Sequence, residues 1–160
     1  MALYPFEFRP SATNDLVRIG ASYDGGYVVP ERTIYATRGI LSFGLSDDWE
    51  FEDELSRKSG AYVVCFDPNV TWTFWVRRFI VKMYRGLIGL DFQHFSRGMR
   101  FLKYLRFFDG QRNRHIKKAI GYPNSVAISL PQAIEVANLD EPLFLKMDIE
   151  GCEYRVLLDL

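Results

Sequence analysis

Pro142-Leu143-Phe144-Leu145-Lys146-Met147-Asp148-Ile149-Glu150-Gly151-Cys152-Glu153-Tyr154 is the stretch whose reading decides the fold. The apolar run from Leu143 to Met147 has the length and composition of a buried strand. Asp148 and Glu150 follow at alternate positions, then Gly151, then an amphipathic start over 152–158. In an open α/β sheet, polar groups gather at the carboxyl ends of the strands, where ligands bind. A strand that ends in carboxylates and turns through glycine into a helix fits that pattern.

Working outward, a second such arrangement lies a hundred residues upstream. Gly39-Ile40-Leu41-Ser42-Phe43-Gly44 reads as a strand closing on a glycine, with Leu45-Ser46-Asp47-Asp48 behind it. Residues 49–58 read as a helix that Ser46 or Asp47 can cap. Glu50, Glu52, Asp53 and Glu54 crowd its first turns, where the helix dipole favours negative charge. Lys58 and Gly60 mark its end. Ala61-Tyr62-Val63-Val64-Cys65-Phe66 is the next strand, followed by Asp67-Pro68. Strand, glycine turn, helix, strand and acid form a βαβ unit. In such a unit the glycine lets backbone approach a nucleotide, and the acid can accept hydrogen bonds from a ribose diol. The full GxGxxG fingerprint of nicotinamide-binding proteins is absent, which disfavours that class.

Two further strand-like runs and a lead segment complete the pattern. Ser125 to Leu130 reads as a strand, Pro131 suits the first turn of a helix reaching about Asn138, and 139–142 is a loop. Residues 1–38 form an irregular lead. Within it Tyr23-Asp24-Gly25-Gly26 lies between Ile19-Gly20-Ala21-Ser22 and Tyr27-Val28-Val29, either as a hairpin turn or as a glycine loop over a ligand.

Bulk properties bound the function. The 160 residues suffice for one domain with a real core, and the mixture of apolar and charged residues is that of a globular chain. Net charge is zero but unevenly spread. Residues 1–68 carry eleven acids and six bases, 69–118 two acids and twelve bases, and 119–160 seven acids and two bases, so a basic block separates two acidic ones. Residues 70–89 and 92–108 have helical spacing, with Phe92, Phe95, Met99, Leu102 and Leu105 on one face, so 69–120 reads as a helical insertion. Three uses are open for it: a solvated insertion packed on the sheet, an interfacial helix on an anionic membrane, or contact with a polyanion. No RNA- or DNA-binding motif is present, so no specific nucleic acid is expected. Cys65 and Cys152 form no framework or Cys/His cluster, so both read as small buried residues and no metal site is expected. There is no signal-peptide pattern and no apolar run of membrane-spanning length, which points to the cytoplasm. His94 and His115 read as surface or core histidines rather than catalysts.

The order of parts resembles the FkbM-type family of S-adenosylmethionine-dependent methyltransferases. The residues that carry the resemblance are Leu41 to Asp48 with Phe51-Glu52, Val64-Cys65-Phe66-Asp67-Pro68, and above all Leu145-Lys146-Met147-Asp148-Ile149-Glu150-Gly151-Cys152-Glu153. That last string is similar to the family's lysine followed by Asp-x-Glu-Gly, a small residue and Glu. Arg18-Ile19-Gly20 with Asp24-Gly25-Gly26-Tyr27 is similar to the lead of one of its branches. The resemblance implies a Rossmann-like class I methyltransferase sheet. The strands near 40–44, 62–66, 125–129 and 143–148 would be parallel, and the family's three C-terminal strands would be missing. It implies S-adenosyl-L-methionine as cofactor, held by Gly44, Ser46 and Asp47 at its methionine end and by Asp67 at its ribose. Asp148 would lie on the cofactor side near the sulfonium, and Glu150 would serve structure or substrate, the two forming the catalytic pair. The expected acceptor is an oxygen of a small molecule or sugar. The plain alternative for Asp148 and Glu150 is that they satisfy backbone N–H groups at a strand end and a helix start. The rival for the whole chain is a non-catalytic binding module that works through residues 70–118 on a membrane or polyanion.

Overall fold

A computed structural model describes residues 13–22, 25–89, 100–121, 124, 126–149 and 151–156. Its centre is a four-stranded parallel sheet. β3 (Gly39–Phe43) and β4 (Tyr62–Phe66) pair in parallel, joined through α2 (Glu50–Ser59). β8 (Leu143–Met147) lies on the other side of β3, pairing Gly39 with Leu143 and Phe43 with Met147. β5 (Asn113–Ile116) lies beyond β4, giving the order β5-β4-β3-β8. The hairpin of β1 (Leu16–Ile19) and β2 (Tyr27–Pro30) leads through α1 (Glu31–Ala36) into this sheet, with Ile19 paired to Tyr27 across its loop.

Alternation along the strands decides what covers each face. Ile40, Val63 and Cys65 point to one side, where they pack with Ile19, Val29, Phe51, Leu55 and Trp75 from the hairpin, α2 and α3 (Trp72–Gly89). Leu41, Phe43, Val64 and Phe66 point to the other, against Leu130, Ala133 and Ala137 of α5 (Leu130–Ala137) and Val156 of α6 (Glu153–Val156). Every residue of β3 is buried, as a parallel strand covered on both faces requires. α4 (Arg100–Phe107) packs beside α3 through aromatic rings, Trp72 to Phe101 at 5.2 Å and Trp75 to Tyr104 at 5.1 Å.

Local chemistry sets the helix ends. Ser129 caps α5 in a reciprocal box with Gln132, and Pro131 lies in its first turn. Gly60, at φ +78, closes α2 by donating to Ser56 O. The start of α2 departs from expectation. Neither Ser46 nor Asp47 caps it; instead Asp48 Oδ1 accepts the N–H of Glu50 at 3.0 Å.

Two assignments from the sequence are corrected. The expected strand at 125–129 does not join the central sheet: β7 (Ala127–Ile128) pairs in parallel with β6 (Ala119–Ile120) as a separate ladder. The edge place beside β4 belongs to β5, whose residues are Asn-Arg-His-Ile. The helical insertion is accordingly shorter than 69–120, because 113–116 and 119–120 are extended. An edge strand gets its register from one neighbour's backbone and tolerates polar side chains, so no apolar run announces it. The 92–99 portion of the second expected helix, His94, Tyr23-Asp24 of the glycine loop, and Ser125 lie outside the described residues.

Candidate functional site

A cavity of about 540 Å³ opens at the carboxyl ends of β3, β4 and β8. This is within the size range of small-molecule sites. Gly44, Ser46, Asp47, Asp67 and Asp148 all line it, so five of the six residues singled out from the sequence converge there from three separate segments. The sixth, Glu150, lies outside the described residues. Gly25 of the hairpin loop also lines the cavity, as do Phe74 of α3, Arg100 of α4 and Cys152. A second hollow, about 570 Å³, lies between α2 and α4 and shares Asp47, Asp48 and Arg100 with the first. Ion pairs such as Arg100–Glu50 at 3.3 Å and Arg57–Asp53 at 3.4 Å wall it.

Gly44 permits the β3 turn to meet the tip of β8. Its φ is +85, and a Cβ there would stand 1.9 Å from the carbonyl oxygen of Asp148. Asp148 N donates to Phe43 O at 2.8 Å at the meeting point, and Gly44 N donates to Phe66 O at 3.0 Å, tying the turn to β4 as well. Ser46, at φ +51, is also left-handed, a conformation that non-glycine residues adopt at some cost.

Asp67 supports that turn from below. Its Oδ2 accepts the N–H groups of Leu45 at 2.9 Å and Ser46 at 3.0 Å, and its Oδ1 accepts that of Asn69 at 2.7 Å. A carboxylate offers about four acceptor positions. Three are filled by backbone, which leaves Oδ1 capacity for one further donor. Asp67 is therefore first a brace for the Gly44 turn, and a ribose hydroxyl would find one free acceptor position rather than two. Asp47 faces α3 and α4: Arg78 Nη2 donates to its carboxylate at 2.9 Å and Arg100 Nη1 to its carbonyl at 2.6 Å.

Four aspartates line the cavity, Asp47, Asp48, Asp67 and Asp148, against Lys146 and Arg100. Lys146 is engaged with Glu52 at 2.9 Å, and Arg100 is shared between Glu50 at 3.3 Å and Asp48 of the cavity at 4.0 Å. The lining is thus acidic in balance. Asp148 has no cationic partner among the described residues; its Oδ2 accepts the hydroxyl of Tyr27 at 3.4 Å. Burial, with Asp148 and Glu52 nearby, holds the Tyr27 phenol above its usual range despite the opposing pull of Lys146.

Beneath the cavity lies a buried cluster that the sequence reading did not single out. Glu52 Oε1 accepts from both Lys146 Nζ at 2.9 Å and Ser42 Oγ at 2.5 Å. The Lys146 ammonium also lies 5.6 Å from the ring centre of Tyr27. Two signals were available. Lys146 interrupts an apolar strand, and Glu52 shares the inward stripe of α2 with Phe51 and Leu55. A lone charge in either place calls for a partner.

His115 is part-buried and hydrogen-bonded through both ring nitrogens. Its Nε2 donates to the Asp67 carbonyl at 2.9 Å, which leaves Nδ1 to accept from the Tyr104 hydroxyl at 2.6 Å. Burial pushes its pKa below the ordinary value, only partly offset by Asp67. The folded chain thus refuses a proton that the unfolded chain takes. The resulting stability is complete above about pH 6.5 and is lost as pH falls towards the lower folded value. The urea midpoint should therefore drop between pH 7.5 and 5.5, and His115→Gln should show a smaller drop. Equal drops would remove His115 as the cause.

Compared with family models, curated proteins and solved structures, this chain matches none. The site accordingly rests on its own geometry. Among the described residues no cluster of His, Cys, Asp and Glu could hold a metal ion. Among those residues, too, no helix is long and apolar enough to cross a membrane. Cys65 is buried, and burial pushes its thiol well above the ordinary range. Cys152 departs from the expected burial: it is half-buried in the cavity wall.

Proposed function

We propose that the cavity binds S-adenosyl-L-methionine and that the chain transfers a methyl group to an oxygen of a small molecule or sugar, in a Rossmann-like sheet of the class I methyltransferase kind. One observation carries the reading. Asp148, a carboxylate without a cationic partner among the described residues, shares one acidic cavity with the Gly44 turn and Asp67. This arrangement suits a cationic ligand that also carries a diol. The fit is good in volume and in sign of charge. It is tight at Asp67, where one acceptor position remains.

S-adenosyl-L-methionine supplies an electrophilic methyl group on a sulfonium. The chain's own residues do the rest. Asp148 offers negative charge at the strand tip, oriented by the Tyr27 hydroxyl. Asp67 keeps the Leu45–Ser46 backbone in place, which fixes the width of the cavity beside Gly44. An acceptor hydroxyl that enters beside Asp148 meets a carboxylate able to take its proton. Glu150, two residues on, is a second candidate for that task on the strength of the resemblance.

Titration calorimetry with S-adenosyl-L-methionine and S-adenosylhomocysteine tests the reading. Wild type should bind both. Asp148→Asn keeps the side-chain shape and the Tyr27 contact, and should weaken the sulfonium form by about tenfold, the scale of one charged contact. Absence of heat with either ligand on a folded sample overturns the proposal.

A further inference from the structure

We infer that the outward face of α3 is a docking surface for an anionic phospholipid membrane. The helix turns Trp75 into the core, where it is buried, and pairs Arg78 with Asp47. Much of its remaining surface is apolar and exposed. Trp72 is 64 % exposed, Phe79 52 %, Ile80 60 % and Tyr84 67 %, with Val76 also exposed. Trp72, Val76, Ile80 and Tyr84 recur every fourth residue and so form one stripe along the helix. The eighteen residues span about 27 Å at the α-helical rise. A contiguous exposed apolar stripe of this length marks an interaction surface.

Charge selects the occupant. The sequence of α3 contains Arg77, Arg78, Lys82 and Arg85 and no acidic residue. α4, packed beside it, contains no acidic residue and exposes Leu102 and Leu105; its Arg100 is already bonded to Glu50, and its Lys103 and Arg106 border the hollow shared with α2. A polyanion such as RNA would match the charge and could stack bases on Trp72 or Tyr84, but it has no use for the aliphatic Val76 and Ile80 between them. An uncharged apolar partner would match the stripe but not the charge. The interface of an anionic bilayer satisfies both, since it takes apolar side chains at the acyl boundary and basic ones among the headgroups. Trp72 and Tyr84, near the two ends of the described face, have the amphipathic rings favoured at that depth. Phe74 of the same helix lines the cavity, so a membrane under α3 would lie beside the cavity wall. Lipid binding by this face does not depend on what the cavity holds.

Co-sedimentation with vesicles tests the inference. One set is pure phosphatidylcholine and the other contains about one third phosphatidylserine. Wild type should pellet with the second set at low salt, and the bound fraction should fall as salt rises. Ile80→Glu should lower apparent affinity on the order of tenfold by placing charge in the stripe. Trp72→Ser should lower it by several-fold. Ile80 is exposed, so Ile80→Glu should keep the wild-type thermal midpoint, whereas Trp72→Ser also removes the ring contact with Phe101 and is read against its own midpoint. Failure of wild type to pellet, equal pelleting on pure phosphatidylcholine, or unchanged pelleting of Ile80→Glu would each overturn the inference. Binding to polyuridylate but not to vesicles would overturn it in favour of a polyanion.

Discussion

Lys146→Met should destabilise the fold by about 3–5 kcal/mol, the range for removing one partner of a buried ion pair. Glu52 is fully buried and Lys146 nearly so. Methionine matches the lysine stem in volume, so packing survives while the charge does not. Glu52 would keep the Ser42 hydroxyl as its one polar contact on Oε1, and its Oε2 already has none among the described residues. The paired variant Lys146→Met with Glu52→Leu removes both charges and should recover most of the loss. Urea midpoints of the single and double variants decide the matter: if the double is no better than the single, the ion pair is not the cause. There is also an alkaline signature. Burial alone would lower the ammonium's pKa, but the Glu52 charge and hydrogen bond outweigh it and raise the pKa above 10.5. The contribution is therefore complete below about pH 10.5 and is lost as pH rises through the folded value. Wild type should show that alkaline loss, and the double variant should not.

Gly44→Ala should be nearly as damaging and should also abolish ligand binding in the cavity. A left-handed backbone costs a side-chain-bearing residue about 1–2 kcal/mol by itself. Here the added carbon would also meet the Asp148 carbonyl at 1.9 Å, a backbone atom that cannot rotate away. The β3 turn and the β8 tip must then separate, breaking the Asp148 N to Phe43 O bond and moving Asp148. Gly60→Ala is the natural control. Gly60 has a similar φ of +78, with nothing within 4 Å of the added carbon, so it incurs only the backbone cost. Chemical denaturation of both variants should show Gly44→Ala well below Gly60→Ala. Matching midpoints would mean that the strand tips are not in contact as described.

Much of the central sheet could be read in the sequence because three of its four strands are mainly apolar. β3 and β4 are near-continuous buried runs, the trace that parallel strands covered on both faces leave, while β8, at the edge of the described sheet, is mostly half-buried and is interrupted by Lys146. Glycine and acid at their ends marked the cavity for the same reason, since backbone crowding and polar termini are written in residue type. β5 left no such trace, because Asn-Arg-His-Ile earns its place through pairing with β4 and through His115 reaching Asp67 and Tyr104. β7 was legible as a strand, but its partner was not: a two-residue ladder takes its register from tertiary placement. Asp67 shows another limit. Its position was predictable, but its engagement with Leu45, Ser46 and Asn69 depends on a left-handed Ser46 that no sequence pattern announced. The Lys146–Glu52 pair joins residues far apart in the chain, and only the Ser42–Lys146 register brings them under one roof.

That register also orders events in time. β3 can find β4 across a single helix, but its other edge waits for β8, which is made after α3, α4, β5 and α5. Closing so long a loop is slow relative to forming the local unit. Until it closes, β3 has one unpaired edge, Glu52 has no ammonium beside it, and the cavity lacks the wall that carries Asp148. The pocket and the buried ion pair therefore come into being in the same late step, and a newly made chain has neither until its last described strand has docked.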